Sequence, residues 1–302
     1  MIKAEHLGKR YRKKIAVEEL SFNVETGKVT GFLGPNGAGK STTMRLMLGL
    51  DRGTGTTTFD DKPLGQYARP SQIVGILLEA KAFHPGRTAR NHLEVLAEAG
   101  DIPIRRVEEV LEAVGLSSVA NKRPGKFSLG MSQRLGIAAA ILGRPKYLLL
   151  DEPANGLDPE GIAWLRQFIK DYADKGNAVF VSSHLLSEMA QMADNVVVIG
   201  KGKLIAETSI QGIISKSSHA SVFVRASNLS KLERLAKQHN WNFDKTENGL
   251  SITGATPDEI GKEAFTEGII ILELASRGAS LEDAFLELTA DSEEYRAGKG
   301  KK

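Results

Sequence analysis

The chain has 302 residues, 41% of them apolar, enough for one large domain or two ordinary ones with a packed core, which excludes an intrinsically disordered chain. A net charge of +3 over 25% charged residues sets up no strong field of the kind that marks a nucleic-acid binder, and no nucleic-acid partner is expected. There is no cysteine, so disulfides, thiolate catalysis and cysteine–metal sites are excluded together, and the composition suits a reducing compartment. The basic opening from Lys9 to Lys14 is not followed by an apolar h-region. No stretch approaches the roughly 18 uninterrupted apolar residues of a spanning helix, so a membrane role is expected only through a partner.

Residues 2 to 33 contain short β-like runs, Ile2 to Leu7, Ala16 to Val24 and Val29 to Leu33, separated by polar or glycine turns. Tyr11 falls in this part, either as an ordinary strand aromatic or as a ring that stacks on a purine. Next comes Gly34-Pro35-Asn36-Gly37-Ala38-Gly39-Lys40-Ser41-Thr42, which matches the Gly-x-x-x-x-Gly-Lys-Ser/Thr phosphate loop. It lies between an apolar strand and a helical pattern over Ser41 to Leu50, where such a loop has to lie. Glycines let the backbone curl its N–H groups around one anion, and the helix N-terminus adds its dipole. Lys40 then reaches the β- and γ-phosphates of a nucleotide, and the Ser41 hydroxyl is a ligand for Mg²⁺.

Asp51 to Arg69 reads as a polar stretch, followed by a strand Ile73 to Leu78 that ends at Glu79. Arg87 to roughly Leu142 reads as a mostly helical insertion: Leu93, Leu96 and Ala97, and then Val107, Val110, Leu111 and Val114, recur at helical spacing. A buried-strand run Tyr147 to Leu150 ends in Asp151-Glu152-Pro153, the place where a P-loop ATPase keeps its metal and its base. Asp151 is expected to hold Mg²⁺ and Glu152 to polarise the attacking water. A helix Pro159 to Ala173, a strand Ala178 to Ser182, a helix from His184 and a strand Asn195 to Ile199 follow, an alternation that predicts a parallel sheet covered on both faces. His184 falls at the end of a strand, beside the other strand ends that carry chemistry.

Beyond Thr208 the pattern is strand, helix, strand, strand, helix, strand, from Ser221 to Leu274, with Asn248-Gly249 as a hairpin turn. This is the order of a ferredoxin-like α+β unit. A last helix, Ser280 to Thr289, puts Leu281, Ala284, Phe285 and Leu288 on one face, and the polar tail from Asp291 to Lys302 is expected to be flexible. The second domain reads either as a ligand-sensing module or as a packing and dimerisation module.

The phosphate loop, the Asp-Glu pair and the late histidine, in this order, resemble the nucleotide-binding subunit of an ABC transporter. Phe127-Ser128-Leu129-Gly130-Met131-Ser132-Gln133-Arg134 falls where that family's Leu-Ser-Gly-Gly-Gln signature falls, and Asn155-Gly156-Leu157-Asp158 resembles its D-loop. The resemblance covers residues 2 to 215. It implies an α/β P-loop ATPase domain over 1–215 with a helical subdomain over 87–142, an accessory α+β domain over 216–290, and a tail over 291–302. It also implies a head-to-tail dimer of cassettes, the second being a copy or a different chain. ATP on one phosphate loop is covered there by Ser128 and Gly130 of the facing domain. Tyr11 matches the adenine-stacking aromatic. Hydrolysis is then passed to transmembrane permease subunits, and the chain is held at the cytoplasmic face of the membrane through them.

Two positions depart from the family pattern. Glu79 stands where glutamine is usual, facing Mg²⁺ or water; its charge would repel a γ-phosphate by about 3 kcal/mol at roughly 6 Å and an effective dielectric of about 20, while its attraction to Mg²⁺ acts in the opposite direction. Leu129 and Met131 stand for glycine and glutamine in the signature. Both departures, and the Ser280-Leu281-Glu282-Asp283-Ala284-Phe285 segment, resemble the branch that exports peptide antibiotics of the bacitracin and lantibiotic kind. The alternative, a mechanical ABC ATPase acting on ribosomes or DNA, usually carries two cassettes or a coiled-coil insertion. This chain has one phosphate loop, one signature and no sustained heptad pattern.

Overall fold

The computed structural model describes residues 1–12, 14–210, 212 and 221–277. Two compact units divide the chain, the first spanning Met1–Thr208 and the second opening at Ser209. The first is built on a six-stranded sheet. Strands β3 (Val29–Leu33), β5 (Val74–Leu77), β6 (Tyr147–Leu150), β7 (Ala178–Ser183), β8 (Asn195–Gly200) and β9 (Lys203–Ser209) lie in the order β5-β6-β7-β3-β8-β9. From β5 to β8 the neighbours are parallel. Every residue of β3, β6 and β7 is buried, as expected for strands covered on both faces.

A three-stranded antiparallel sheet packs nearby, with β1 (Ile2–Tyr11) between β2 (Lys14–Val24) and β4 (Thr54–Phe59). Phe22 of β2 stacks on Phe32 of β3 and Phe180 of β7 at centroid distances of 5.6 and 5.4 Å, so aromatic rings join the two sheets in one core. Strand β4 corrects the reading of 51–69 as merely polar. The run Thr-Gly-Thr-Thr-Thr-Phe lacks an apolar alternation because β4 is an edge strand with only Phe59 fully buried, and its structure comes from pairing with β1. Strand β9 was missed for the same reason, having no buried residue.

Helix α1 (Lys40–Met47) starts on the phosphate loop and stops three residues short of the expected end, where Gly49 takes the left-handed conformation (φ 68°). The helical insertion contains α2 (Ala89–Ala99), α3 (Arg105–Ala113) and α4 (Leu129–Ala140). Thr88 caps α2 and Ser128 caps α4, each hydroxyl accepting a backbone N–H at 3.1 Å. Helix α5 (Pro159–Asp174) is capped by Asp158, whose carboxylate accepts the Gly161 N–H at 2.8 Å. Helix α6 (Leu186–Met192) begins two residues after His184 rather than at it, because Ser183 Oγ takes the Leu185 N–H in a local turn.

The second unit has a four-stranded antiparallel sheet of β10 (Ser221–Ala226), β11 (Asn242–Thr246), β12 (Gly249–Thr253) and β13 (Ile271–Arg277), in the order β11-β12-β10-β13. Helices α7 (Leu229–Gln238) and α8 (Pro257–Thr266) bury Leu232, Leu235, Ile260 and Ala264 with the strands' Val224 and Ile252. This strand order and the βαββαβ connectivity are those of the ferredoxin-like fold. The expected helix over 280–289 and the tail from 291 lie outside the described residues. Among the described residues no helix is long and apolar enough to cross a membrane.

Candidate functional site

The phosphate loop runs between β3 and α1 as its sequence demands. Gly39 has φ 106°, and a Cβ there would stand 2.5 Å from the Ala16 carbonyl oxygen, so only glycine lets the loop close against the antiparallel sheet. No side chain caps α1, which leaves its first N–H groups for an anion. Lys40 is 6% exposed. Its ammonium lies 2.7 Å from the Gly34 carbonyl and 3.3 Å from Glu152 Oε1, while Glu152 Oε2 lies 2.8 Å from His184 Nδ1. Lys40 thus meets Glu152 and His184, both more than a hundred positions away in sequence, in one chain of polar contacts, because β6, β7 and β3 are consecutive in the sheet and end on the same edge.

These groups line a cavity of about 450 Å³ with Tyr11, Asn36, Ser41 and Asn155. Gly37, Gly39 and Thr42 complete the loop side of it. Gly34, Pro35 and Ala38 shape the loop from beneath, and Gly34 and Ala38 are buried. Tyr11 is 48% exposed and its hydroxyl donates to Asp51 Oδ2 at 2.8 Å. The carboxylate accepting that bond holds the phenol above its ordinary range, and the same bond, with help from Arg45, holds Asp51 below its own. The ring itself stays on the cavity wall. Behind His184, burial raises the Glu188 carboxyl, partly countered by the Ser183 hydroxyl.

Asp151 and Glu152 occupy the end of β6. Ser182 of β7 donates its hydroxyl to Asp151 Oδ1 and accepts the Glu152 N–H at 2.8 Å. Glu152 has the left-handed backbone (φ 48°), a conformation costing a non-glycine residue about 1–2 kcal/mol. Ser182 was not singled out by sequence; the available signal was a wholly buried hydroxyl at the end of an otherwise apolar strand. Gln133 was also missed as a separate residue. It is buried within α4, and its amide reaches the carbonyls of Glu152 and Asn155, each at 3.4 Å.

The other predicted residues fall outside the cavity wall. Ser128 and Gly130 open α4, with Ser128 exposed. Leu129 fills the space over Gly156, where a Cβ would stand 2.0 Å from Leu129 Cδ2, so leucine in the signature is accommodated by a left-handed glycine (φ 77°) of the Asn155–Asp158 turn. Gly130 faces Leu157 of the same turn. Glu79 is exposed and lines a separate, mostly apolar groove of about 700 Å³, together with Phe83, Leu96 and Leu135.

An anion cradle before a helix, a buried lysine in it, a histidine at the end of the adjacent strand and an acid pair at the end of the strand beyond define a P-loop ATPase of the ABC type. The family model described as "ABC transporter" matches residues 17–155, and one described as a domain of unknown function matches 220–282. The bacitracin transport ATP-binding protein BcrA of Bacillus licheniformis is 37% identical over 95% of this chain and 97% of its own length. The lantibiotic transport ATP-binding protein SrtF of Streptococcus pyogenes is 37% identical over 70% of this chain and 92% of its own. Among solved structures, an ATP-binding subunit of an ABC transporter covers 88% of this chain and 99% of its own at 24% identity and a TM-score of 0.64. The dimeric cassette MJ0796 bound to ADP and Pi covers 69% and 98% at 23% identity and a TM-score of 0.63. The chain belongs to the ABC transporter ATP-binding proteins, in their bacitracin and lantibiotic transport branch, and it binds and hydrolyses ATP.

Proposed function

We propose that this ATPase drives export of peptide antibiotics through separate membrane permease subunits, with the following division of labour. The phosphate loop and Lys40 bind the β- and γ-phosphates, and Tyr11 stacks on the adenine. Glu152 is the general base that takes the proton of the attacking water. His184, fixed by Glu152 at 2.8 Å, bonds the γ-phosphate and that water. Lys40 leaves Glu152 for the incoming phosphates, which frees the carboxylate to face the water when substrate is present.

The donors present fit Mg²⁺. Ser41 offers a hydroxyl beside Lys40 and Asp151 a carboxylate, and no group of three or more His, Cys, Asp or Glu suited to a metal cage occurs among the described residues. Such a sparse, all-oxygen set suits an ion carried in largely by the nucleotide's phosphates and by water. Held by Ser41 and Asp151, Mg²⁺ would supply positive charge to offset the negative charge developing on the transferred phosphate.

The facing cassette supplies Ser128 and Gly130 at the γ-phosphate, at the N-terminus of α4. ATP then belongs to the dimer interface, and hydrolysis removes the anion that holds it shut. The permease docks against the apolar groove beside Glu79 and the helical insertion, which holds the chain peripherally at the cytoplasmic face of the membrane. The ferredoxin-like unit is an accessory packing and dimerisation module. The observation that carries the reading is the convergence of Lys40, Glu152 and His184 on the cavity of the phosphate loop. Co-purification from membranes, followed by peptide-export assays in vesicles, tests it: recovery with permease chains and ATP-dependent export are expected. Recovery with ribosomes or DNA instead would overturn it.

A further inference from the structure

Glu152 is gripped on both sides of its backbone. Its N–H is donated to Ser182 Oγ at 2.8 Å, and its carbonyl accepts from Gln133 Nε2 at 3.4 Å. Ser182 is wholly buried, and its own proton goes to Asp151 Oδ1, which leaves an oxygen lone pair aimed at the Glu152 N–H. Gln133 is 4% exposed, its amide also reaches the Asn155 carbonyl, and its Oε1 has no hydrogen-bond partner among the described residues. Buried side-chain polar atoms are mostly paired, so an amide left with one end unpaired points to a role for its other end. The residue gripped is the one whose left-handed backbone directs its carboxylate to Lys40 and His184. Left free, a non-glycine residue would leave that conformation.

We infer that Ser182 and Gln133 are positioning residues that hold Glu152 in its left-handed conformation, and so set where its carboxylate meets the attacking water. This rests on the reading of Glu152 as the base. Gln133 lies on α4, five positions after Ser128, the residue that meets the facing cassette's nucleotide. Leu129, packed over Gly156, fixes the start of the same helix to the same turn. A shift of α4 on closure therefore reaches the backbone of Glu152 through one side chain, which links nucleotide capping on one cassette to water activation on the same chain's own site.

The test uses Ser182→Ala and Gln133→Met in the full chain, each alone and combined with Glu152→Gln, with single-turnover hydrolysis of radiolabelled ATP beside steady-state kinetics, ATP affinity and thermal unfolding. Each substitution alone should lower kcat by about 10- to 100-fold, the scale of a misplacement near 1 Å, and leave KM for ATP within about twofold. In the Glu152→Gln background Gln133→Met should not lower the residual rate further, because a residue that acts only through the base has nothing left to act on, whereas Ser182→Ala also releases Asp151 and is read from its single variant. Unchanged kcat in both single variants, or the same fold loss for Gln133→Met with and without Glu152, would overturn the inference. Should Ser182→Ala fail to fold, Gln133→Met carries the same comparison. A Glu152→Gln variant near parental turnover sinks the base assignment instead, so the two failures are distinguishable.

Discussion

Replacing Glu152 by glutamine separates the two jobs of one carboxylate. The side chain touches Lys40 Nζ at 3.3 Å and His184 Nδ1 at 2.8 Å. Glutamine has the same reach, and its amide can accept from the ammonium and donate to the imidazole, so the geometry survives while charge and proton affinity go. Two unit charges 3.3 Å apart attract by about 5 kcal/mol at an effective dielectric of about 20, most of it offset by desolvation of the buried lysine. An incoming triphosphate must draw Lys40 out of that pair. If about 1 kcal/mol of net attraction is left to overcome, Glu152→Gln binds ATP about five times more tightly than the parent. Turnover meanwhile falls by roughly 10² to 10⁴, the usual worth of a positioned base. Equilibrium titration with ATP and magnesium reads the first quantity and phosphate release reads the second. Turnover within about threefold of the parent, or ATP binding weakened more than tenfold, would refute the reasoning.

Three further outcomes follow from other contacts. Tyr11→Ala should weaken ATP binding roughly 5- to 150-fold through loss of about 1–3 kcal/mol of ring stacking, while Tyr11→Phe stays within about threefold, which nucleotide titration checks. Gly156→Ala forces a Cβ into Leu129 at a left-handed residue, so the unfolding midpoint of the first unit should drop by roughly 5–10 °C, and adding Leu129→Ala should recover part of it. His92 is buried, and burial first, then the Arg87 charge, holds its imidazole below the ordinary value of 6.5. The unfolded chain therefore binds a proton that the folded one refuses, and stability falls as pH drops below about 6.5. His92→Leu should flatten that slope in thermal melts taken between about pH 7.5 and 5.5.

The parts of the site legible in sequence were those fixed by local geometry. A phosphate loop must have small residues where its backbone curls, and acids at a strand end follow an apolar run, so Gly39, Lys40, Asp151 and Glu152 announce themselves. The ferredoxin-like unit was legible because its central strands β10 and β12 are mostly buried and Asn248 marks the hairpin, although the turn is Glu247-Asn248 and Gly249, expected in it, already pairs with Thr246 as the first residue of β12. What stayed hidden depends on pairing across the fold. Strand β4 has no apolar alternation of its own and exists through its register with β1. Ser182 and Gln133 act on Glu152 across 30 and 19 positions, a distance at which no spacing rule applies. Glu79 was placed beside the nucleotide by resemblance to glutamine at that position. Here it lines the neighbouring apolar groove, which turns its expected repulsion of the γ-phosphate into a question about closure of the helical insertion.

The absence of cysteine from the chain makes one cross-link decisive. Asn36→Cys on the phosphate loop and Ser128→Cys at the start of α4, placed together in the Glu152→Gln chain, should form a disulfide-linked dimer on mild oxidation with ATP and none with ADP. That result is predicted if one copy's capping segment closes over the nucleotide of the other. Tight ATP binding without any cross-link, or a cross-link indifferent to nucleotide, would contradict it.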